Sequence, residues 1–190
     1  HSERTPGIDL NETGENVYVM NPKAPFTLQE IAQVCLIVPD LEKAVENYYH
    51  IFGVGPWSFY TYGKPLVKKM TKDGKPTEYK MRVALSNIGP LRIELIQVLQ
   101  GDTIYQEFID EHGYGVHHFG VLVENMQEAI RHAEKSGFEM TQDGAGFGLD
   151  GDGHYAYINT EDKIGVTLEL IERPKRRQTP EKVYPPEQES

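Results

Sequence analysis

What most narrows the folds open to this chain is an internal repeat. An offset of 85 residues, 118 less 33, lays Gln33 on His118, Val38 on Val123, Ala44 on Ala129 and Val45 on Ile130, without a gap, through a strand and the helix after it. The order of hydrophobic periods repeats as well. In the first copy 31–38 reads as a strand and Pro39-Asp40 breaks it; Leu41, Ala44, Val45, Tyr48 and Tyr49 then share one helical face until Gly53, and strands are predicted over 57–62, 79–86 and 91–96. A short helical connector over 103–111 leads to Gly113 and Gly115. The pattern then restarts with a strand over 116–123, a helix over 126–135 closed by Gly137, and strands over 138–141, 154–159 and 166–171. Each copy is a β-α-β-β-β unit too small to bury a full core alone, so each has an open sheet face for the other to cover. The expected fold is α+β, two paired βαβββ modules forming curved mixed sheets around a shared cleft. The modules fall at 27–100 and 115–172, joined by a connector over 101–114. Residues 1–26, with Pro6, Gly7, Gly14, Pro22 and Pro25, read as an extended N-terminal arm. The tail over 173–190, opening Arg173-Pro174-Lys175-Arg176-Arg177, reads as a charged, proline-rich extension that is solvated or loosely docked.

Charge limits the partners. With 29 acidic against 19 basic residues the net charge is −10, a field that repels phosphate backbones and anionic lipid headgroups, so neither nucleic acid nor membrane is expected as a partner. A single cysteine, Cys35, rules out an intramolecular disulfide and a thiolate-rich metal site. No apolar run approaches a membrane span and the N-terminus lacks the basic-then-apolar order of a signal peptide, so a cytoplasmic setting is expected.

The chemistry is written in polar residues placed inside apolar strands. Side chains alternate along a strand, so a polar residue with apolar neighbours on both sides points away from the face they bury. Gln33 lies between Ala32 and Val34, Glu94 between Ile93 and Leu95, His118 between His117 and Phe119, and Glu169 between Leu168 and Leu170. Singly, each has an ordinary reading. A strand glutamate is commonly the solvated face of a sheet, a buried histidine is commonly satisfied by backbone, and amides seldom bind metals. Taken together they occupy the opening and closing strands of both copies, and sheets curved around one cleft would bring them to one point. Two carboxylates, an imidazole and an amide oxygen make a mixed oxygen and nitrogen set suited to Co, Mn, Ni, Zn or Mg, with positions left for water or substrate.

The segments Ile31-Ala32-Gln33-Val34-Cys35-Leu36-Ile37-Val38-Pro39-Asp40-Leu41, Ile93-Glu94-Leu95, Gly115-Val116-His117-His118 and Gly165-Val166-Thr167-Leu168-Glu169-Leu170 resemble the signature strands of the vicinal oxygen chelate superfamily, over about residues 28–172. That resemblance implies a divalent metal ion held by Gln33, Glu94, His118 and Glu169. It implies an epimerase or racemase that abstracts a proton alpha to a carbonyl, in an acyl-CoA thioester or a small ketone, aromatic ones included, through a metal-stabilised enolate. Glu169 is then one catalytic base. Glu78, sixteen residues before Glu94, resembles the second, although it precedes Lys80 and Arg82 in what also reads as a solvated edge. Gln33 resembles the glyoxalase I ligand set, so a lyase of that type is the alternative, and a non-catalytic small-molecule-binding protein of the same fold is a third. The Gly-x-His-His strand resembles the epimerases.

For the substrate, Trp57, Phe59 and Tyr60 are candidate walls and His117 a candidate contact, with ordinary aromatic packing as the competing explanation. No arginine cluster marks an anion pocket in the sequence, while Lys68, Lys69, Lys72 and Lys75 are placed to steer an anion. Asp150-Gly151-Asp152-Gly153 reads as a hairpin turn rather than a calcium loop. A small-molecule substrate and a homodimer are expected.

Overall fold

Strand β1 (Gln33–Ile37) ends where Pro39 removes a ladder donor and Asp40 turns its carboxylate onto the backbone N–H of Lys43, capping α1 (Leu41–Phe52). Gly53, at φ 67°, accepts the left-handed conformation that closes the helix. The second copy repeats the device at the same offset. After β7 (Gly115–Leu122), Asn125 accepts from the N–H of Glu128 and starts α3 (Met126–Lys135). The same chemistry at equivalent positions is why one sequence pattern gives the same strand-to-helix corner twice.

The computed structural model describes residues 21–187, so the arm expected over 1–26 lies mostly outside the described residues. The first copy continues with β2 (Trp57–Tyr62), a small hairpin of β3 (Lys69–Lys72) and β4 (Lys75–Pro76), then β5 (Lys80–Ile88) and β6 (Leu91–Gln100). Helix α2 (Ile104–His112) connects to the second copy, which continues past α3 with β8 (Met140–Phe147), β9 (Gly153–Ile158), the short α4 (Glu161–Ile164) and β10 (Thr167–Glu172). A last strand, β11 (Lys182–Tyr184), lies in the tail.

All strands join one strongly curled 11-stranded mixed sheet in the order β11-β2-β5-β6-β1-β7-β10-β9-β8-β3-β4. The order reads the same outward from its centre. β1 and β7 pair antiparallel at the seam, each is parallel to the closing strand of its own copy, and two antiparallel strands follow on either side. The α+β expectation holds. The copies are more interlocked than the pattern suggested, because the β3–β4 hairpin leaves the first copy to pair with β8 of the second.

Alternation divides the buried residues into three groups. Leu41 and Val45 of α1 pack on Trp57, Phe59, Ala84 and Leu95 outside one half of the sheet. Met126, Ala129 and Ala133 of α3 pack on Val121, Ala156, Ile158, Leu168 and Leu170 outside the other. Inside the curl, side chains from both halves meet: Tyr62 lies 5.5 Å from Phe147 ring to ring, and the hydroxyls of Tyr79 and Tyr155 are 2.6 Å apart. Burying a large side chain contributes about 1.5–3 kcal/mol, so closing the curl over so many aromatic rings is what holds the two halves face to face. Among the described residues no helix is long and apolar enough to cross a membrane.

The tail departs from expectation. It runs back across the open side of the curl. The N–H of Leu149 donates to the carbonyl of Arg176, Arg176 pairs with Asp150, and β11 adds to β2 in register, with Lys182 opposite Phe59. The sheet edge at β2 offers unpaired backbone groups, and the tail satisfies them. The turn around Asp150 to Gly153 is its anchor.

Candidate metal centre

Gln33, Glu94, His118 and Glu169 come together inside the curl. The His118 Nε2 atom is 2.8 Å from a Glu169 oxygen and 3.4 Å from a Glu94 oxygen, and the Gln33 amide donates to Glu169 at 3.1 Å. His118 is fully buried, Gln33 and Glu169 nearly so, and the Glu94 side chain is 12% exposed. Parity delivers them. Val34, Ile93, Phe119 and Leu168 turn outward to the helices, so their neighbours turn inward.

Two residues complete the floor. At the offset of the repeat, Cys35 matches Gly120: Cys35 is paired in the ladder with Glu94 and His118, Gly120 with Gln33 and Glu169. A Cβ at Gly120 would stand 2.7 Å from Ile171 Cδ1 and 3.0 Å from Gln33 Cβ, so only glycine leaves the space beside these donors open. Cys35, Glu94 and His118 offer ligand atoms within 4.8 Å of one another. From the sequence Cys35 bears on disulfides and thiolate-rich sites alone. Its inward parity and its equivalence to Gly120 in the repeat are the signal that it borders the site.

The donor set fits a divalent cation. Glu94 Oε1 and His118 Nε2 are buried with no hydrogen bond of acceptable geometry, although they lie 3.4 Å apart and a Glu169 oxygen is 2.8 Å from the same nitrogen. Orphaned buried polar atoms are costly, and a cation between them removes the cost. Turning the Gln33 amide over brings its oxygen to the place of its nitrogen, which makes a fourth donor.

His118 is held from behind by His117, with their Nδ1 atoms 2.8 Å apart. The register of β7 against β1 skips His117, pairing Cys35 with His118 and Leu36 with Val116. This bulge explains how adjacent histidines are both buried. His117 therefore faces α2, its ring 5.0 Å from that of Phe108 and 5.6 Å from that of Tyr105, and does not line the cleft as the sequence reading had it. Burial and the neighbouring His118 hold the His117 pKa well below the usual imidazole value. Burial also opposes charge on His118, but the carboxylates of Glu169 and Glu94 outweigh it and raise its pKa to about 9. Between the two rings His118 is thus the donor and neutral His117 the acceptor. Burial raises the Glu169 pKa, against the pull of His118.

Three other sequence assignments are placed elsewhere. Glu78 precedes β5; its carboxylate is 68% exposed and pairs with Lys64. On β5 Met81 and Val83 face inward, while Arg82 faces out and pairs with Glu42 of α1; Glu78 lies before the strand and is not among the residues lining the cleft. Trp57 and Phe59 are fully buried behind the sheet against α1, whereas Tyr60 and Tyr62 of the same strand face inward. Lys72 is committed to Asp73, Asp102 and Glu107, while Lys68, Lys69 and Lys75 are exposed.

The cleft itself is walled by Tyr62, Phe147, Tyr155 and Tyr157, with Gln33, Glu94 and Glu169 at its floor and Arg92, Arg173 and Arg177 at its rim. It encloses about 30 Å³, room for one or two waters. Arg177 donates to the Tyr62 hydroxyl at 3.1 Å, and its guanidinium stands 5.6 Å over the Tyr60 ring. Burial and the neighbouring Arg173 and Arg177 lower the Arg92 pKa to about 10. Sequence reasoning missed this cluster because two of its three members lie in the tail.

Over 146 residues the chain is 25% identical to the mitochondrial methylmalonyl-CoA epimerase of Mus musculus, spanning 76% of this chain and 74% of that protein. The mitochondrial methylmalonyl-CoA epimerase of Homo sapiens is 24% identical over the same shares. The crystal structure of methylmalonyl-CoA epimerase from Mycobacterium tuberculosis, 22% identical, superposes with a TM-score of 0.53 over 79% of this chain and 95% of that one, a likeness of fold. Residues 32–157, from the start of β1 almost to the end of β9, match the description "Glyoxalase/Bleomycin resistance protein/Dioxygenase superfamily". The chain belongs to the Glyoxalase/Bleomycin resistance protein/Dioxygenase superfamily.

Proposed function

We propose that this protein is a metal-dependent isomerase of carbon acids, an epimerase or racemase that moves a proton on the carbon beside a carbonyl. The observation that carries the reading is the convergence of Gln33, Glu94, His118 and Glu169 on one buried point, where His118 Nε2 and Glu94 Oε1 make no hydrogen bond of acceptable geometry. When bound there, a divalent ion (Co, Mn, Ni, Zn or Mg) supplies a Lewis acid that polarises the substrate carbonyl and acidifies the adjacent carbon. Glu169 takes that proton. Its burial favours the protonated form, which suits a base that must hold the proton it has taken. Inversion needs a proton delivered to the other face of the planar enolate, from solvent or from Glu94 across the cleft, after the first face has lost its proton to Glu169. Glu94 and Gln33 orient from the opposite strands, and the tyrosine walls exclude bulk water. Two relatives are named as methylmalonyl-CoA epimerases, so a branched acyl-CoA thioester is the first substrate to try, ahead of a small ketone.

The test is solvent deuterium entry into candidate substrates. Exchange that stops on chelation and returns with Mn²⁺ or Co²⁺ supports the reading; exchange indifferent to chelators contradicts it. A second reading, one-base isomerisation of the glyoxalase I type, is favoured by the inner face of β5. Met81, Val83 and Leu85 are apolar, so Glu94 and Glu169 are the carboxylates of the cleft among the described residues. Turnover of a glutathione hemithioacetal separates the two.

Protons and metal must compete for His118. Its pKa stands above the ordinary imidazole value, so the ring keeps its proton through neutral pH and loses it only near pH 9. Uptake of Mn²⁺ at pH 7 is therefore expected to release about one proton, and affinity is expected to rise about tenfold per pH unit until pH 9. Calorimetry in buffers of different ionisation enthalpy reads the release. A pH-independent affinity between 6.5 and 8.5 contradicts this account.

His117 positions the ligand. His117→Phe keeps a ring among Tyr105, Phe108 and Tyr157 but removes the acceptor for His118 Nδ1–H, and is expected to weaken metal binding about 10- to 100-fold. His117→Gln, which restores an acceptor, is expected to recover part of that loss. Competition with a chelating dye measures both, and unaltered affinity in the phenylalanine variant would show that the contact does not orient His118.

A further inference from the structure

Arg92, Arg173 and Arg177 share one cavity with Gln33, Glu94 and Glu169. Among the described residues none of the three arginines makes an ion pair. The other two arginines with a described side-chain partner, Arg82 and Arg176, each hold a carboxylate. Arg177 is fixed by a neutral phenol and an aromatic face, which orient a guanidinium without spending its charge. Three guanidiniums thus stand against two carboxylates, and those two are already turned on His118. In a chain of net charge −10, such a surplus at the rim of a cleft points to a missing anion.

We infer that Arg92, Arg173 and Arg177 form a clamp for a carboxylate group of the substrate. The inference rests on the cleft being the site where a carbonyl compound is processed, and it names the class: a carbonyl compound that also bears a free carboxylate. A carboxylate is favoured over the phosphate of a nucleotide carrier, because whatever touches these arginines lies in the same small cavity as Glu94 and Glu169, within the length of one compact molecule. The planar fork of a guanidinium matches a carboxylate edge to edge. The strap supplies two members of the clamp. Pro174 sits against Gly148, where a Cβ would lie 2.3 Å from the proline Cβ, and the strand after Arg177 is tied to β2. At about 30 Å³ the cavity admits a carbonyl compound only with an outward shift of this tail segment.

The test uses the full chain and two probes that differ in the charged group, acetoacetate and methyl acetoacetate, with binding read by calorimetry and by NMR saturation transfer. Acetoacetate is expected to bind at least tenfold more tightly than the ester. Arg173→Gln combined with Arg177→Gln is expected to bring the acid down to the level of the ester while leaving metal content unchanged. A second pair of variants, Arg173→Lys and Arg177→Lys, keeps charge without the fork and is expected to fall between. Equal binding of acid and ester, or acid binding unaffected by the glutamine changes, overturns the clamp. Displacement of acetoacetate by inorganic phosphate as readily as by acetate also overturns the assignment to a carboxylate. Discrimination of acid from ester in a protein that takes up no metal would leave the clamp standing and remove the metal-dependent reading beneath it.

Discussion

Glu169→Gln is expected to slow solvent deuterium entry at the acidic carbon of the substrate by about 10²- to 10⁴-fold, the usual worth of a positioned base. The substitution keeps the shape of the side chain and one oxygen toward the cation but removes the group that takes the proton. It also removes a charge that is costly in this place, since burial already disfavours the ionised form, so the variant is expected to fold. Glu78→Gln provides the contrast. Its exposed carboxylate meets Lys64 outside the curl, and its loss is expected to change exchange less than about twofold. Mass spectrometry of substrate recovered from D₂O reads both variants. Normal exchange in Glu169→Gln, or an equal loss in Glu78→Gln, would take the catalytic role from Glu169.

Trp57→Ala is expected to destabilise the fold by about 3–5 kcal/mol while leaving the apparent substrate affinity of the surviving folded protein nearly unchanged. Trp57 is fully buried between the sheet and α1, its indole N–H donates to the carbonyl of Val54 at 2.7 Å, and its ring lies 5.4 Å from that of Tyr48. Truncation leaves a cavity on the helix side, where collapse is resisted by the packed Leu41, Val45 and Phe59. Urea unfolding measures the loss. A stable variant with a much weakened KM would instead place the indole at the substrate.

How far these residues could be read from the sequence follows from what alternation can and cannot encode. The inward turn of Gln33, Glu94 and Glu169 was legible because each is flanked on its strand by outward apolar residues, and that of His118 because the repeat pairs it with Gln33. The closure of the curl was legible only as a need, two open faces seeking cover. What failed did so where a local rule was replaced by a count or a composition. The spacing of Glu78 to Glu94 suggests a second base, but Glu78 precedes β5 and its exposed carboxylate pairs with Lys64. Trp57, Phe59 and Tyr60 were grouped as one aromatic run, yet a strand sends successive pairs of such residues to opposite faces. His117 was misplaced because a bulge is not visible without its partner strand. The arginine rim was missed because a charged, proline-rich tail reads as solvated until an open sheet edge is there to receive it.

The repeat also explains an asymmetry at the site floor. Equivalent positions hold Cys35 in one half and Gly120 in the other, so the thiol fills its side while the glycine leaves the space beside Gln33 and Glu169 open. Duplication supplies the symmetry of the scaffold, and differences between the copies supply an uneven cleft in which a substrate has one orientation.

The most direct measurement is a crystal structure of the protein grown with Mn²⁺, with anomalous scattering used to locate the ion. The expected result is one peak within about 2.0–2.3 Å of oxygen or nitrogen atoms from Gln33, Glu94, His118 and Glu169 together. A cleft in which those four side chains stay paired with one another while the ion binds elsewhere, or nowhere, would contradict the account.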